Sequence, residues 1–109
     1  MTYSVELTVS AVEDLNDIVQ WIARNDSPDK ALNVLDQIQA RINSLKDQPA
    51  RGVTPLELRN LDIDIYREVF FKPYRIIYHV RENRVIINLI ADGRRDMSVL
   101  LQRRLLKSS

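Results

Sequence analysis

The sequence predicts a single α+β domain: an N-terminal strand and an αα-hairpin, then a three-stranded antiparallel meander and a short C-terminal helix. Residues 11–45 carry apolar side chains at helical spacing, and residues 66–90 contain three runs of β-branched and aromatic residues separated by short turns. A chain of 109 residues can build one hydrophobic core but not two independent ones. We therefore treat residues 1–109 as one domain.

The N-terminal part begins with a strand and continues into a helix. Over residues 3–9 apolar and polar side chains alternate, which is the period of a strand with one buried face. Ser10 and Glu13 then have the spacing of a capping box, in which each side chain bonds to the other residue's backbone N–H. The first helix is predicted to begin at about Ala11 and to end near Arg24.

A second helix follows after a short break. Ser27 and Pro28 are typical of a helix N-cap and of the first helical position, and the apolar spacing continues until Gln48 and Pro49 end it. Residues 49–64 lose this period, and they are predicted to form a connecting loop with a turn of helix around residues 56–61.

The C-terminal half is predicted to contain the meander and a last helix. The strands are expected at residues 66–71, 74–80 and 85–90. Because both faces of the third run are apolar, that strand is expected inside the sheet, covered on both sides. Residues 91–96 are expected to leave the sheet, residues 97–106 to form a basic amphipathic helix, and residues 107–109 to fray.

Composition excludes several classes of site. The chain has no cysteine and one histidine, which excludes disulfides, thiolate metal sites and histidine-clustered metal sites, and no cofactor motif is visible. The N-terminus does not resemble a signal peptide, and no apolar run approaches the roughly 20 residues of a membrane span. We expect a cytoplasmic protein without a membrane partner.

The charge is unevenly distributed. Residues 1–50 carry four Lys/Arg against eight Asp/Glu, whereas residues 51–109 carry twelve against seven. A basic half can bind an anionic partner such as nucleic acid or an acidic protein segment, but proteins that bind neither can also be polarised in this way.

Three local motifs carry a resemblance to a known family. They are Asp14-Leu15-Asn16-Asp17-Ile18 with Trp21-Ile22-Ala23 in the first helix, Pro73-Tyr74-Arg75-Ile76-Ile77-Tyr78 in the middle strand, and Gly93-Arg94-Arg95-Asp96 after the last strand. With the order of elements, they resemble the RelE/ParE toxin superfamily over essentially the whole chain. The strand motif and the Gly-Arg-Arg-Asp motif are similar to the ParE branch.

The resemblance implies a growth-inhibiting toxin of a type II toxin–antitoxin system, a class also associated with plasmid stabilisation. ParE-like proteins are associated with inhibition of DNA gyrase, and a cognate antitoxin neutralises them. The alternative is a RelE-like endonuclease that cleaves mRNA on the ribosome, for which Arg75 and Arg95 match two basic positions. Where RelE-like enzymes carry a tyrosine or a His-Tyr pair, this sequence has Leu100-Leu101-Gln102, and the lysine-rich stretch of RelE is also missing. Both departures favour action by binding.

Further candidate residues each have two interpretations. His79 is an acid or base for the endonuclease, on one face with Arg75, or simply a half-exposed strand residue. Arg94 and Arg95 contact a phosphate or a partner's carboxylate, or they pair with Asp92 and Asp96.

The remaining candidates lie on helices. Trp21 is expected in the core, with a protein-binding face as the alternative. Arg103 and Arg104 contact a target or an acidic antitoxin segment, or they lie on a solvated helix face. The antitoxin is expected on exposed apolar residues of the helical hairpin and on the basic face of the sheet. A third hypothesis is an inactive relative that survives as a binding module.

Overall fold

A computed structural model describes residues 2–106 of the chain, so the predicted fraying of residues 107–109 lies outside the described residues. The elements, in chain order, are β1 (Ser4–Leu7), α1 (Val9–Asn25), α2 (Pro28–Asn43), α3 (Leu56–Arg59), β2 (Tyr66–Phe71), β3 (Tyr74–Arg81), β4 (Arg84–Asp92) and α4 (Met97–Leu105). The predicted α+β architecture is confirmed.

The start of α1 differs from the prediction. Its N-cap is Thr8, whose Oγ1 accepts a hydrogen bond from the N–H of Ala11 at 3.1 Å, so the predicted cap at Ser10 is wrong by two residues. Thr8 can do this because its own N–H completes the sheet by donating to the carbonyl of Ile87. The strand therefore ends at Leu7. The last two residues of the alternating segment, Thr8 and Val9, are the N-cap and the first residue of α1.

The start of α2 agrees with the prediction. Ser27 caps it by accepting from the N–H of Lys30 at 3.0 Å, and Pro28 is its first residue. The helix ends earlier than predicted, at Asn43, and continues as a 3-10 turn over Ser44–Lys46. This turn places the buried Leu45 in the core.

The four strands form one sheet in the order β1-β4-β3-β2. The predicted meander is confirmed, since β2, β3 and β4 pair antiparallel, and β1 adds in parallel to the outer side of β4. The strand predicted to lie inside the sheet, β4, does so. A bulge interrupts β3–β4 pairing, because Ile77 pairs with Leu89 but Tyr78 pairs with Ile87.

Helices cover both faces of the sheet. On one face, α1 and α2 pack against a large core with members on α1, α2 and every strand; its buried residues on the strands are Val69, Ile76, Tyr78, Val85, Ile87 and Ile90. On the other face, Leu58 of α3 and Met97 and Leu101 of α4 form a smaller cluster with Ile77, Leu89 and Ala91. Inner strands are apolar on both sides because both sides are buried.

The segment between α2 and β2 is attached to the sheet by a buried tyrosine. The hydroxyl of Tyr78 donates to the carbonyl of Pro49 at 2.7 Å and accepts from the N–H of Gly52 at 3.0 Å. A Cβ on Gly52 would lie 2.7 Å from that hydroxyl oxygen, so only glycine permits the approach. Within residues 2–106, no helix is long and apolar enough to cross a membrane.

Candidate functional site

A groove of about 430 Å³ lies between the outer side of α1 and the carboxyl end of β4. Its floor is apolar and includes Ile18, Ile90 and Ala91. Acidic residues of α1 line one wall, and Arg94 and Arg95 line the other. Trp21 and Tyr74 complete the lining together with Asp14, Asp17 and Asp92.

Trp21 is the most exposed aromatic side chain of this groove. It is 62% exposed, so the expectation that it lies in the core is wrong. Its neighbour Ile22 takes the buried position of α1, while Trp21 points to the side of the helix that also carries Asp17 and Ile18. An exposed tryptophan beside an apolar floor is typical of a protein-binding surface.

The groove lies where one edge of the sheet is open. The pairing of β1 with β4 ends at Leu7 and Ile87, whereas β4 continues to Asp92. In place of a strand, the Asp14 carboxylate accepts from the N–H of Ile90 at 3.0 Å, and Arg104 donates to the carbonyl of Asn88 at 2.9 Å. Side chains of α1 and α4 thus satisfy backbone groups that a strand would otherwise bind.

Arg104 also forms an ion pair with Asp14. Its two terminal nitrogens donate to the two carboxylate oxygens at 2.8 and 3.0 Å, and the pair raises the pKa of Arg104. In the free chain Arg104 is not a solvated residue of the helix surface and is not free for a target, because it joins α4 to α1. No local sequence pattern indicates this contact, which spans 90 residues.

Arg75 lies between two carboxylates. Its Nη2 and Nη1 donate to Glu57 Oε1 and Oε2 at 2.7 and 2.9 Å, and its Nε donates to Glu68 Oε1 at 2.7 Å. The side chain is 13% exposed. The Glu57–Arg75–Glu68 cluster carries a formal charge of −1 when both carboxylates are ionised, so the candidate cation is already neutralised within the chain.

The two carboxylates differ in environment. Hydrogen bonds from Arg75 lower the pKa of Glu57, whose side chain is 25% exposed. Burial raises the pKa of Glu68, whose side chain is 6% exposed, although Arg75 acts in the opposite direction. The hydrogen bonds that Arg75 donates to Glu57 raise the pKa of Arg75, which therefore stays protonated.

His79 lies four residues along β3 from Arg75, on the side of the sheet that faces α3 and α4. A strand rises about 3.3 Å per residue, so the two Cα atoms are about 13 Å apart. The Nδ1 of His79 is 2.7 Å from Oδ1 of Asn88, and its ring packs edge-on against Tyr66. The structure does not bring His79 and Arg75 together into one cluster.

The other arginines after β4 are in two different situations. Arg94 pairs with Asp92, with Nε 2.9 Å from Oδ1, and this pairing lowers the pKa of Asp92. Asp96 instead caps α4 by accepting from the N–H of Val99. Arg95 and Arg103 make no side-chain hydrogen bond or ion pair with any other residue in 2–106, and both line a second hollow beside α4.

Sequence reasoning missed Glu57, Glu68 and Asp14. The contact of Glu68 with Arg75 could have been predicted from the hairpin. A two-residue turn at 72–73 sets Phe70 opposite Arg75 and places Glu68 diagonally across from Arg75 on the same face of the sheet. The contacts of Glu57 and Asp14 could not, since they depend on how a loop and two helices pack. Across residues 2–106, no group of three or more His, Asp or Glu side chains is placed to hold a metal ion.

Solved structures define the class of protein to which this fold belongs. The chromosomal ParDE system from P. aeruginosa superposes with a TM-score of 0.69 at 19% identity, covering 84% of this chain and 96% of that one. The RelBE2 toxin–antitoxin complex from Mycobacterium tuberculosis gives 0.60 at 21% identity, covering 84% and 99%. A mutant of E. coli toxin RelE in the free state gives 0.63 at 12% identity, covering 96% and 100%. At these identities the likeness shows the fold, which is that of the RelE/ParE toxins.

The family follows from the sequence. A family model described as the ParE toxin of the type II toxin–antitoxin system parDE matches residues 5–97. The chain therefore belongs to the ParE toxin family, as the sequence motifs predicted. A search of curated proteins finds no match.

Proposed function

We propose that this ParE-family chain inhibits growth by binding DNA gyrase without catalysis of its own, and that a cognate antitoxin holds it inactive. The observation that carries the proposal is the position of Arg75 between Glu57 and Glu68. An endonuclease of this fold would use that arginine on the phosphate. Here its three donor nitrogens already bind carboxylates.

Electrostatics supports binding over RNA cleavage. Stabilising the transition state of phosphodiester cleavage takes donors that are free to meet the developing negative charge. The Glu57–Arg75–Glu68 cluster presents negative charge instead, which repels a phosphodiester. Among the candidate catalytic cations, only Arg95 is exposed and free of side-chain partners within residues 2–106.

The residues near the C-terminus also support an inhibitor that binds. A cleavage mechanism takes a general base within hydrogen-bond reach of the 2′-hydroxyl. Leu101 is buried in the smaller core cluster, and Leu100 packs against the same cluster, so these positions hold no proton-transfer group. His79 is bonded to Asn88 and lies about 13 Å along the strand from Arg75.

The groove beside α1 is the surface we assign to the antitoxin. It combines an apolar floor, the exposed Trp21 and charged walls of both signs, which suits a protein segment with apolar and charged side chains. Antitoxin segments that are disordered alone can fold on such a surface. Two of the similar solved structures are a ParDE system and a RelBE2 toxin–antitoxin complex, which supports a partner of this kind.

Purified gyrase tests the target. The chain, added to gyrase, relaxed plasmid and ATP, is expected to reduce supercoiling in proportion to its concentration, and premixed antitoxin is expected to restore it. Heat-denatured chain is the control. Full supercoiling at a large molar excess of the folded chain would reject gyrase as the target. Cleavage of mRNA on added ribosomes would instead support the endonuclease alternative.

A further inference from the structure

We propose that Glu57 acts as a built-in substitute for phosphate: it closes a latent phosphate-binding site centred on Arg75 and so determines that this face does not bind nucleic acid. The two terminal nitrogens of Arg75 meet both oxygens of Glu57 at 2.7 and 2.9 Å. This parallel two-bond arrangement is the one with which arginine binds a phosphate group. The inference goes beyond the proposed function, and it does not depend on gyrase being the target.

The two glutamates contribute differently to the site. Glu68 lies on β2, is almost fully buried and bonds the inner nitrogen, Nε, of Arg75. Glu57 lies on the short helix α3, is the more exposed of the two, and occupies the outer nitrogens. Loss of the Glu57 charge would leave Arg75 neutralised by Glu68 but with two outward donors lacking a charged acceptor. A phosphate oxygen pair fits those donors.

The stem of Arg75 is confined independently of Glu57. Gly93 lies against this stem, where an added Cβ would be 2.7 Å from Cδ and 3.1 Å from Cγ of Arg75. The same turn carries Arg95, which is exposed and has no side-chain partner within the described part of the chain. The turn that carries this cation is therefore in contact with the stem of Arg75.

The test compares two substitutions that change the net charge equally. Glu57→Gln leaves the outer donors of Arg75 without a charged acceptor. Glu6→Gln is the matched control, because Glu6 pairs with Arg84 at 3.2 Å on an exposed part of the sheet. Binding of a fluorescent single-stranded RNA of about 12 nucleotides is measured by polarisation at low ionic strength. Circular dichroism checks that each variant is folded, and Glu57→Ala replaces Glu57→Gln if the amide disturbs folding.

We expect Glu57→Gln to bind the RNA at least about fivefold more tightly than the wild type and Glu6→Gln, because charge-assisted bonds to phosphate are strong. Adding Arg75→Gln to Glu57→Gln should remove the gain, and inorganic phosphate should compete for it. Equal affinities for Glu57→Gln and Glu6→Gln would overturn the inference. So would a gain that persists in the double variant, since it would then come from another cation.

Discussion

Gly93 and Arg75 are in direct contact: a Cβ on Gly93 would lie 2.7 Å from Cδ of Arg75 and 3.2 Å from the carbonyl oxygen of Pro73. The N–H of Gly93 also donates to that carbonyl at 2.8 Å. The two motifs most similar to the ParE branch therefore meet in space. In this chain the glycine gives the Arg75 stem room beside the end of the sheet.

Gly93→Ala is expected to lower the free energy of unfolding by about 1–3 kcal/mol, because either the Arg75 stem or the strand end must move. The backbone of Gly93 does not have a positive φ, so the cost comes from space rather than from conformation. Urea unfolding measures it. Gln102→Ala, an exposed change on α4, is the control and should stay within about 0.5 kcal/mol of the wild type. An unchanged unfolding midpoint for Gly93→Ala would show that this contact is not tight.

The ion pair of Glu57 predicts a pH dependence. Arg75 lowers the pKa of Glu57 below its ordinary value of 4.5, so the pair stabilises the fold above that pH and the contribution is lost as pH falls through the lowered pKa. Burial raises the pKa of Glu68, which acts in the opposite direction: its protonated form favours folding, and that contribution is lost as pH rises.

Comparison of the wild type with Glu57→Gln separates the pH dependence due to Glu57 from the pH dependence due to Glu68. At about pH 7 the wild type should be more stable than the variant, and this difference should shrink as the pH is lowered toward about 3. Urea unfolding across this range gives both curves. A difference that is the same at every pH would mean that the Glu57 carboxylate does not stabilise the fold through its charge.

The contact between α1 and α4 predicts energetic coupling between Asp14 and Arg104. We expect a double-mutant cycle of Asp14→Asn and Arg104→Gln to give a coupling free energy of about 1–2 kcal/mol, because the pair is partly buried and makes two bonds. Arg103→Gln, one residue away and without a partner in residues 2–106, should show no coupling with Asp14→Asn. If the effects of Asp14→Asn and Arg104→Gln on the free energy of unfolding are additive, the two side chains do not form a stabilising ion pair.

Trp21 is predicted to contribute to binding and not to folding. Its side chain is 62% exposed, so Trp21→Ala should leave the unfolding midpoint nearly unchanged while weakening affinity for the antitoxin at least about tenfold, as for an interface hot spot. Calorimetric titration with the antitoxin measures the affinity. Leu32→Ala, which removes a 57% exposed residue of α2 outside the groove, is the matched control. Equal affinities for the two variants would place the antitoxin elsewhere.

The sequence predicted the elements whose signals are local. The Ser27–Pro28 helix start, the three meander strands and the helix after Asp96 lie where spacing and cap residues indicated. The start of α1 was misplaced because Thr8 and Ser10 are both good caps, and only the bond from the Thr8 N–H to the sheet decides between them. Trp21 was misplaced because an apolar stripe does not show which of two adjacent large residues points inward.

The candidate site was predicted less completely, because its contacts are not local. Arg75 was recognised as a candidate, but its neutralisation by Glu57 depends on where the connection between α2 and β2 packs. The open edge of β4 could not be anticipated without knowing that β1 pairs there in parallel and stops at Leu7. The polar contacts that close this edge join α1 to α4, at opposite ends of the chain.

The proposed target is tested most directly by expression of the chain in bacteria without its antitoxin, with plasmid supercoiling and transcript integrity followed in the same culture. If the chain acts by binding gyrase, growth is expected to stop and supercoiling to change while messages remain intact, because the cation needed for RNA cleavage is neutralised. Cleaved messages with normal supercoiling would contradict it and make Arg75, His79 and Arg95 the residues to mutate. Normal growth, with neither change, would favour an inactive binding module.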